Sequence, residues 1–126
     1  MKHILIGLLA ISLCLAFAPA PASAHHSMSM YNRDRVTTLK GTVTLFDWSN
    51  PHCKIYFDTK ADNGAVVKWS AEMGGPGRMS RNGWNKDSLK PGDEITIYGN
   101  PNKDGSPTMR VEKVVLPNGQ QIGGYR

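Results

Sequence analysis

Apolar and polar positions alternate along residues 38–116 in short runs separated by turn residues, the pattern of a sheet rather than of helices. The first run is Thr38 to Trp48. Leu39, Gly41, Val43 and Leu45 fall on one face, and Lys40, Thr42 and Thr44 on the other. Ser49-Asn50-Pro51 then bends the chain. The second run, His52 to Lys60, sends Cys53, Ile55 and Phe57 inward, and the third, Val66 to Met73, sends in Val67, Trp69, Ala71 and Met73. The fourth, Glu94 to Gly99, follows the turn Lys90-Pro91-Gly92-Asp93. The fifth, Met109 to Leu116, follows Lys103-Asp104-Gly105 and ends at Pro117-Asn118-Gly119.

The second and third runs predict a hairpin with a definite register. Asp62-Asn63-Gly64 fits a three-residue loop with Gly64 in the left-handed position, which pairs Ala61 with Ala65. Asp58 then faces Lys68, Tyr56 faces Ser70 and Lys54 faces Glu72, while inside Phe57 meets Trp69, Ile55 meets Ala71 and Cys53 meets Met73. Both faces are satisfied at once, and a slip of one residue would spoil both.

Between the third and fourth runs, Gly74-Gly75-Pro76-Gly77 reads as a loop. Arg78 to Trp84 reads as one or two helical turns, with Trp84 as a plug for the open end of the barrel. Three strands, a short helix and two strands predict an all-β domain: a small five-stranded OB-fold-like barrel with one short helix between strands three and four. A β-sandwich wants about seven strands.

The residues before the first strand change the picture. Lys2, the apolar stretch Ile4 to Phe17, the helix-breaking Pro19 and Pro21, and Ala22-Ser23-Ala24 form the pattern of a cleavable signal peptide over residues 1–24. The apolar stretch is shorter than the roughly 20 residues a bilayer span needs, and Cys14 lacks the small neighbour of a lipoprotein signal. The expected product is periplasmic, begins at His25 and keeps no stable membrane anchor. A polar arm, residues 25–37, is expected to be flexible; the barrel occupies 38–120 and residues 121–126 form a tail. The formal net charge is +5, Lys2 included, but Lys and Arg are scattered without a stripe, so nucleic acid is not an expected partner. Loss of Cys14 leaves Cys53 with no partner for an intrachain disulfide. Its inward position reads as a small buried hydrophobe. Adjacent strand residues point to opposite faces, so Cys53 and His52 are not expected to bind one ion together.

A chain starting at His25 presents an α-amine beside its own imidazole. Together they chelate one metal ion, and a third imidazole completes an N3 set suited to Cu(II). This is the arrangement called a histidine brace. His26 offers a second mode, through the terminal amine, its own deprotonated amide and its ring. His52, on the outer face at the start of the second run, is the candidate third nitrogen; an open space over its ring is expected beside Gly74. The arm, fully extended, reaches about 43 Å. Met28 and Met30 supply thioethers that favour Cu(I). Met73 reads as core, with Met79 and Met109 left open. Glu72 is a candidate carboxylate ligand or base near His52, but its pairing with Lys54 accounts for it without function. Phe46, Trp48 and Tyr56 are placed on the outer surface near His52, where OB-folds often bind ligands; Trp48 as a barrel plug is the other reading. Nucleophile triads, phosphate loops and paired carboxylates are absent from the pattern.

Ala24-His25-His26-Ser27, Leu39-Lys40-Gly41-Thr42-Val43, Trp48-Ser49-Asn50-Pro51-His52, Glu72-Met73-Gly74, Gly83-Trp84 and Leu89-Lys90-Pro91-Gly92-Asp93 together resemble domain-of-unknown-function family 6152, small exported bacterial proteins. The resemblance spans essentially the whole chain after the signal peptide and brings no established activity. It implies that His25, His26 and His52 belong to family motifs. Where relatives tend to carry an aliphatic residue after that last histidine, this chain has Cys53, in keeping with packing. A weaker likeness, of compartment and fold only, is to the periplasmic copper and silver chaperone CusF, whose Trp-Pro-x-Met-x-Met motif does not occur here. Three functions are expected in descending order: periplasmic copper binding and handling; a non-metal binding module in which Trp48, Tyr56 and Lys54 hold a protein, peptide or glycan partner; and, last, a copper-dependent oxidase.

Overall fold

A computed structural model describes residues 29–125; the expected signal peptide and the start of the arm, with His25, His26 and Met28, lie outside them. Five strands form the barrel: β1 (Thr37–Asp47), β2 (Lys54–Lys60), β3 (Val66–Glu72), β4 (Glu94–Pro101) and β5 (Thr108–Val115). Antiparallel pairing runs β3-β2-β1-β4-β5, and a parallel pairing of β3 with β5 through Ser70, Ala71 and Glu72 closes the ring. Helix α1 (Pro76–Arg81) lies between β3 and β4. Over the described residues the protein is therefore mostly β, a closed five-stranded OB-fold-like barrel with the short helix α1 between β3 and β4.

The β2–β3 hairpin has the register expected of it, from Lys54 opposite Glu72 to Lys60 opposite Val66. Gly64 sits at φ 82°, and the Ala61 amide donates to the Ala65 carbonyl at 2.8 Å. Phe57 stacks on Trp69 with ring centroids 6.4 Å apart. Ile55, Phe57, Ala71 and Met73 join Val43, Ile95, Ile97, Met109, Val111 and Val114 in one buried core, and Met79 belongs to it too.

The alternation in β1 does not run through as expected. Val43 faces Phe57 but Leu45 faces Tyr56, so Thr44 is an extra residue, a bulge. Every side chain after it changes face. Leu45, expected inside, is 52% exposed, and Phe46 turns to the core instead. Trp48 packs beside it, 5.7 Å between centroids. The aromatic outer surface expected from Phe46, Trp48 and Tyr56 is thus divided, with the two former against the core. Accordingly Leu45→Thr is expected to change the unfolding free energy in urea by no more than about 0.5 kcal/mol, as exposed positions do; a core position would lose several times that.

The helix begins at Pro76, two residues before the expected start, because proline at the first helical position has its φ already set and no amide to satisfy. Trp84 follows it, 2% exposed, its ring 5.8 Å from Phe46 and its Nε1 donating to the Gly123 carbonyl at 2.8 Å. That acceptor belongs to a sixth strand, β6 (Gln121–Gly123), in the segment expected to be a tail. Gly119, at φ 86°, turns the chain back, and β6 pairs with β5 at Lys113, Val114 and Val115. It takes the edge of β5 that β3 leaves beyond Arg110, so that edge is not left bare.

The arm is likewise anchored where it can be described. Tyr31 bridges to Asn102 and is 6% exposed. The Asn32 amide donates to Pro101, and Asn100 Nδ2 donates to the Arg35 carbonyl at 3.0 Å. The buried Tyr31 ring and these hydrogen bonds together seat it.

Candidate functional site

His52 lies just before β2, between the cis Asn50-Pro51 bond and Cys53. The ladder continues past the strand ends: the Cys53 amide donates to Gly74 at 3.0 Å and the Met73 amide to Cys53 at 2.9 Å. Cys53 is thereby turned fully inward, and burial, with the Asp47 charge adding to it, pushes its thiol up. His52 takes the outer face.

Two glycines shape the turn from the other side. A Cβ on Gly75 would stand 2.7 Å from the Pro51 carbonyl oxygen, so only glycine lets the Asn50-Pro51-His52 turn close on this loop. On Gly74 it would meet Met79 Cε at 2.8 Å and Arg78 Cδ at 3.1 Å. The space expected open beside Gly74 is therefore filled by α1. Gly75→Ala is expected to cost about 1–3 kcal/mol, the range for overpacking against backbone that cannot yield, read by urea unfolding, and to shift the His52 amide resonance.

The outer side of the site is built on Glu72. Its backbone pairs with Lys54, as expected, but its carboxylate goes to His52: Nδ1 and Oε1 are 2.7 Å apart, with the two side chains 34% and 13% exposed. His52 stands two residues before Lys54 on the same face, the diagonal neighbour across the ladder, within reach of a long side chain. Tyr31 donates its hydroxyl to Oε2 and Tyr125 donates to Oε1, each a long contact at 3.4 Å. Burial first, and the Glu72 charge second, push the Tyr31 phenol up to about 12. The same two causes raise Tyr125, with Arg110 opposing. Both phenols keep their protons at neutral pH and can only present O–H to the carboxylate.

Tyr125 is brought there by β6. Its pairing continues through Gly124, whose amide donates to Glu112 at 2.9 Å, and this lays the next residue beside Arg110. The Arg110 guanidinium covers the Tyr125 ring 4.0 Å from its centroid, and Arg78 Nη2 donates to the Tyr125 carbonyl at 2.8 Å. Arg110 is itself the parallel partner of Glu72 across β3 and β5.

Of the residues singled out for metal, His52 is in this cluster. Met30 is about half exposed and its carbonyl accepts from the Lys103 amide. His25, His26 and Met28 lie outside the described residues. Among the described residues no three of His, Cys, Asp and Glu are grouped closely enough to hold an ion. Tyr31 and Tyr125 are additions to the site that the sequence pattern does not single out; an aromatic ring in an otherwise polar arm is the available signal for the first.

The chain matches DUF6152, a family of unknown function, over residues 13–110, and it belongs to that family. No curated protein matches it. Among solved structures it is similar to the ZRD-deleted mutant of TiaS in complex with agmatine, at 27% identity and a TM-score of 0.41, over 65% of this chain and 21% of that one. A complex of TiaS with an isoleucine tRNA and ATP matches at 23% identity and a TM-score of 0.44, over 68% of this chain and 19% of the other. The chain thus spans about a fifth of the length of those proteins.

Proposed function

We propose that this protein is exported to the periplasm and binds copper through a histidine brace, the His25 amine and imidazole with His52 as the third nitrogen. The observation that carries this reading is the contact of the His52 ring with Glu72. A nitrogen and a carboxylate oxygen 2.7 Å apart share a proton, so Nδ1 carries hydrogen toward Glu72. Nε2 is then the nitrogen left for an ion, and a histidine whose other nitrogen is held by a carboxylate is the usual form of a metal-ligating imidazole. Three nitrogens suit Cu(II) best among common divalent ions.

The arm supports the same reading. Tyr31 already touches Glu72, and six residues of extended chain reach back about 20 Å to His25, ample to bring its amine to His52. Met28 and Met30 would favour the reduced ion. The role is binding and handling of the metal, with a periplasmic protein as the partner that gives or takes it.

Expression of the full chain with export gives a mature protein whose mass is expected to place its first residue at His25. One added residue ahead of His25 takes the α-amine away from its ring. With one equivalent of Cu(II), the native-ended protein is expected to give a three-nitrogen EPR signature that the extended one lacks. Identical EPR parameters and equal affinity in the two forms would overturn the brace.

A further inference from the structure

We infer that Glu72 is a positioning residue: its carboxylate fixes the His52 ring in the Nδ1–H form and aims Nε2 outward as the only nitrogen that ring offers to an incoming ion. The metal half of this inference rests on the copper reading; the tautomer half does not.

Three observations support it. The Glu72–His52 contact is short, at 2.7 Å, and Glu72 is the more enclosed of the two, with 13% of its side chain exposed. Its neighbours are arranged to hold a carboxylate rather than to neutralise it. Tyr31 and Tyr125 offer O–H to its two oxygens, one from each end of the described chain. Among the described residues the ion-pair partner of Glu72 is His52 rather than Lys54, the cation that the register sets beside it on β2. Arg110 on β5 is occupied by the Tyr125 ring and lies 3.7 Å from Glu112. Oε1 of Glu72 therefore faces the imidazole at 2.7 Å and shares only a long 3.4 Å contact with Tyr125, so the His52 bond is the short one at that oxygen. The hydrogen bond made by one ring nitrogen decides which tautomer a neutral histidine adopts, and outer partners of this kind govern both ring orientation and ligand strength.

The test uses the protein beginning at His25, with 15N labelling. In the metal-free form at a pH where His52 is neutral, the imidazole nitrogen shifts are expected to show Nδ1 protonated and Nε2 bare. Glu72→Ala is expected to release the ring to a mixture of tautomers, while Glu72→Gln, which still offers a carbonyl oxygen, keeps the native pattern. The remaining amide spectrum reports that each variant is folded. Cu(II) titrated against a competing chelator is then expected to bind Glu72→Ala about 10–100-fold more weakly, the range for loss of an outer partner, with Glu72→Gln recovering most of that. A metal-free His52 protonated at Nε2 in the native protein would overturn the inference whatever copper does. An equal loss of copper in the Gln and Ala variants would also overturn it, since the carboxylate would then be a ligand in its own right. A native tautomer pattern together with a His52→Ala variant that binds copper normally would leave Glu72 positioning the ring and remove the brace instead.

Discussion

His52→Ala is expected to weaken Cu(II) binding by on the order of 100-fold, the upper end of what losing even an outer partner costs, and to change the EPR signature. The loss has a floor. In the proposed mature chain the free terminal amine, the His26 amide and the His26 ring would bind Cu(II) without any fold, so the variant would keep the affinity of its own arm. The discriminating measurement is thus the spectrum together with the competition titration. Under the brace proposal the third nitrogen would be pre-aimed, because Glu72 Oε1 lies 2.7 Å from His52 Nδ1 and Gly75 lets the Asn50-Pro51 turn seat against its loop. Little ordering of His52 remains when an ion arrives, and this is what separates a folded site from a peptide. An unchanged spectrum and affinity in His52→Ala would show that the copper sits on the arm alone.

Trp84→Ala is expected to lose about 3–5 kcal/mol, the range for removing a buried tryptophan. Against a total stability of roughly 5–15 kcal/mol for a small domain, that leaves little or no folded protein at 37 °C. The indole is 2% exposed, sits 5.8 Å from Phe46 and ties β6 to the barrel through the Gly123 carbonyl. Truncation leaves a cavity and a carbonyl without its donor, two costs that add. The effect should extend to the site, because β6 delivers Tyr125 to Glu72. Urea unfolding followed by far-UV circular dichroism and by Tyr125 resonances checks both statements. A loss below about 1 kcal/mol would show that Trp84 is not the plug of this barrel.

How much of the molecule is legible in its sequence depends on the range of the interaction. The β2–β3 hairpin can be read residue by residue, because the Asp62-Asn63-Gly64 turn and two faces of side chains all demand one register. The five strands and the position of the helix follow from alternation and turn residues. The bulge at Thr44 cannot be read this way, since one added residue in a strand carries no local signature, and it displaces Leu45, Phe46 and Trp48 together from their expected faces. β6 has a signal, Asn118-Gly119, but one short apolar position after it gives the strand no pattern. In the site, His52 is recognisable by chemistry and its outward face by parity. The partner of Glu72 differs from the expected one because the directly opposite Lys54 looks sufficient until the diagonal histidine is weighed against it. Tyr31 and Tyr125 join Glu72 across 41 and 53 residues, and no local pattern reports contacts of that separation.

The β2–β3 hairpin leads away from all of this. Its turn at Asp62, Asn63 and Gly64 is exposed and lies seven ladder steps from the Glu72 end, roughly 23 Å along the strands. Fluorophores, affinity handles or surface-immobilisation chemistry belong at that tip, whereas attachments next to Tyr31 or Tyr125 would crowd the hydroxyls that clasp Glu72.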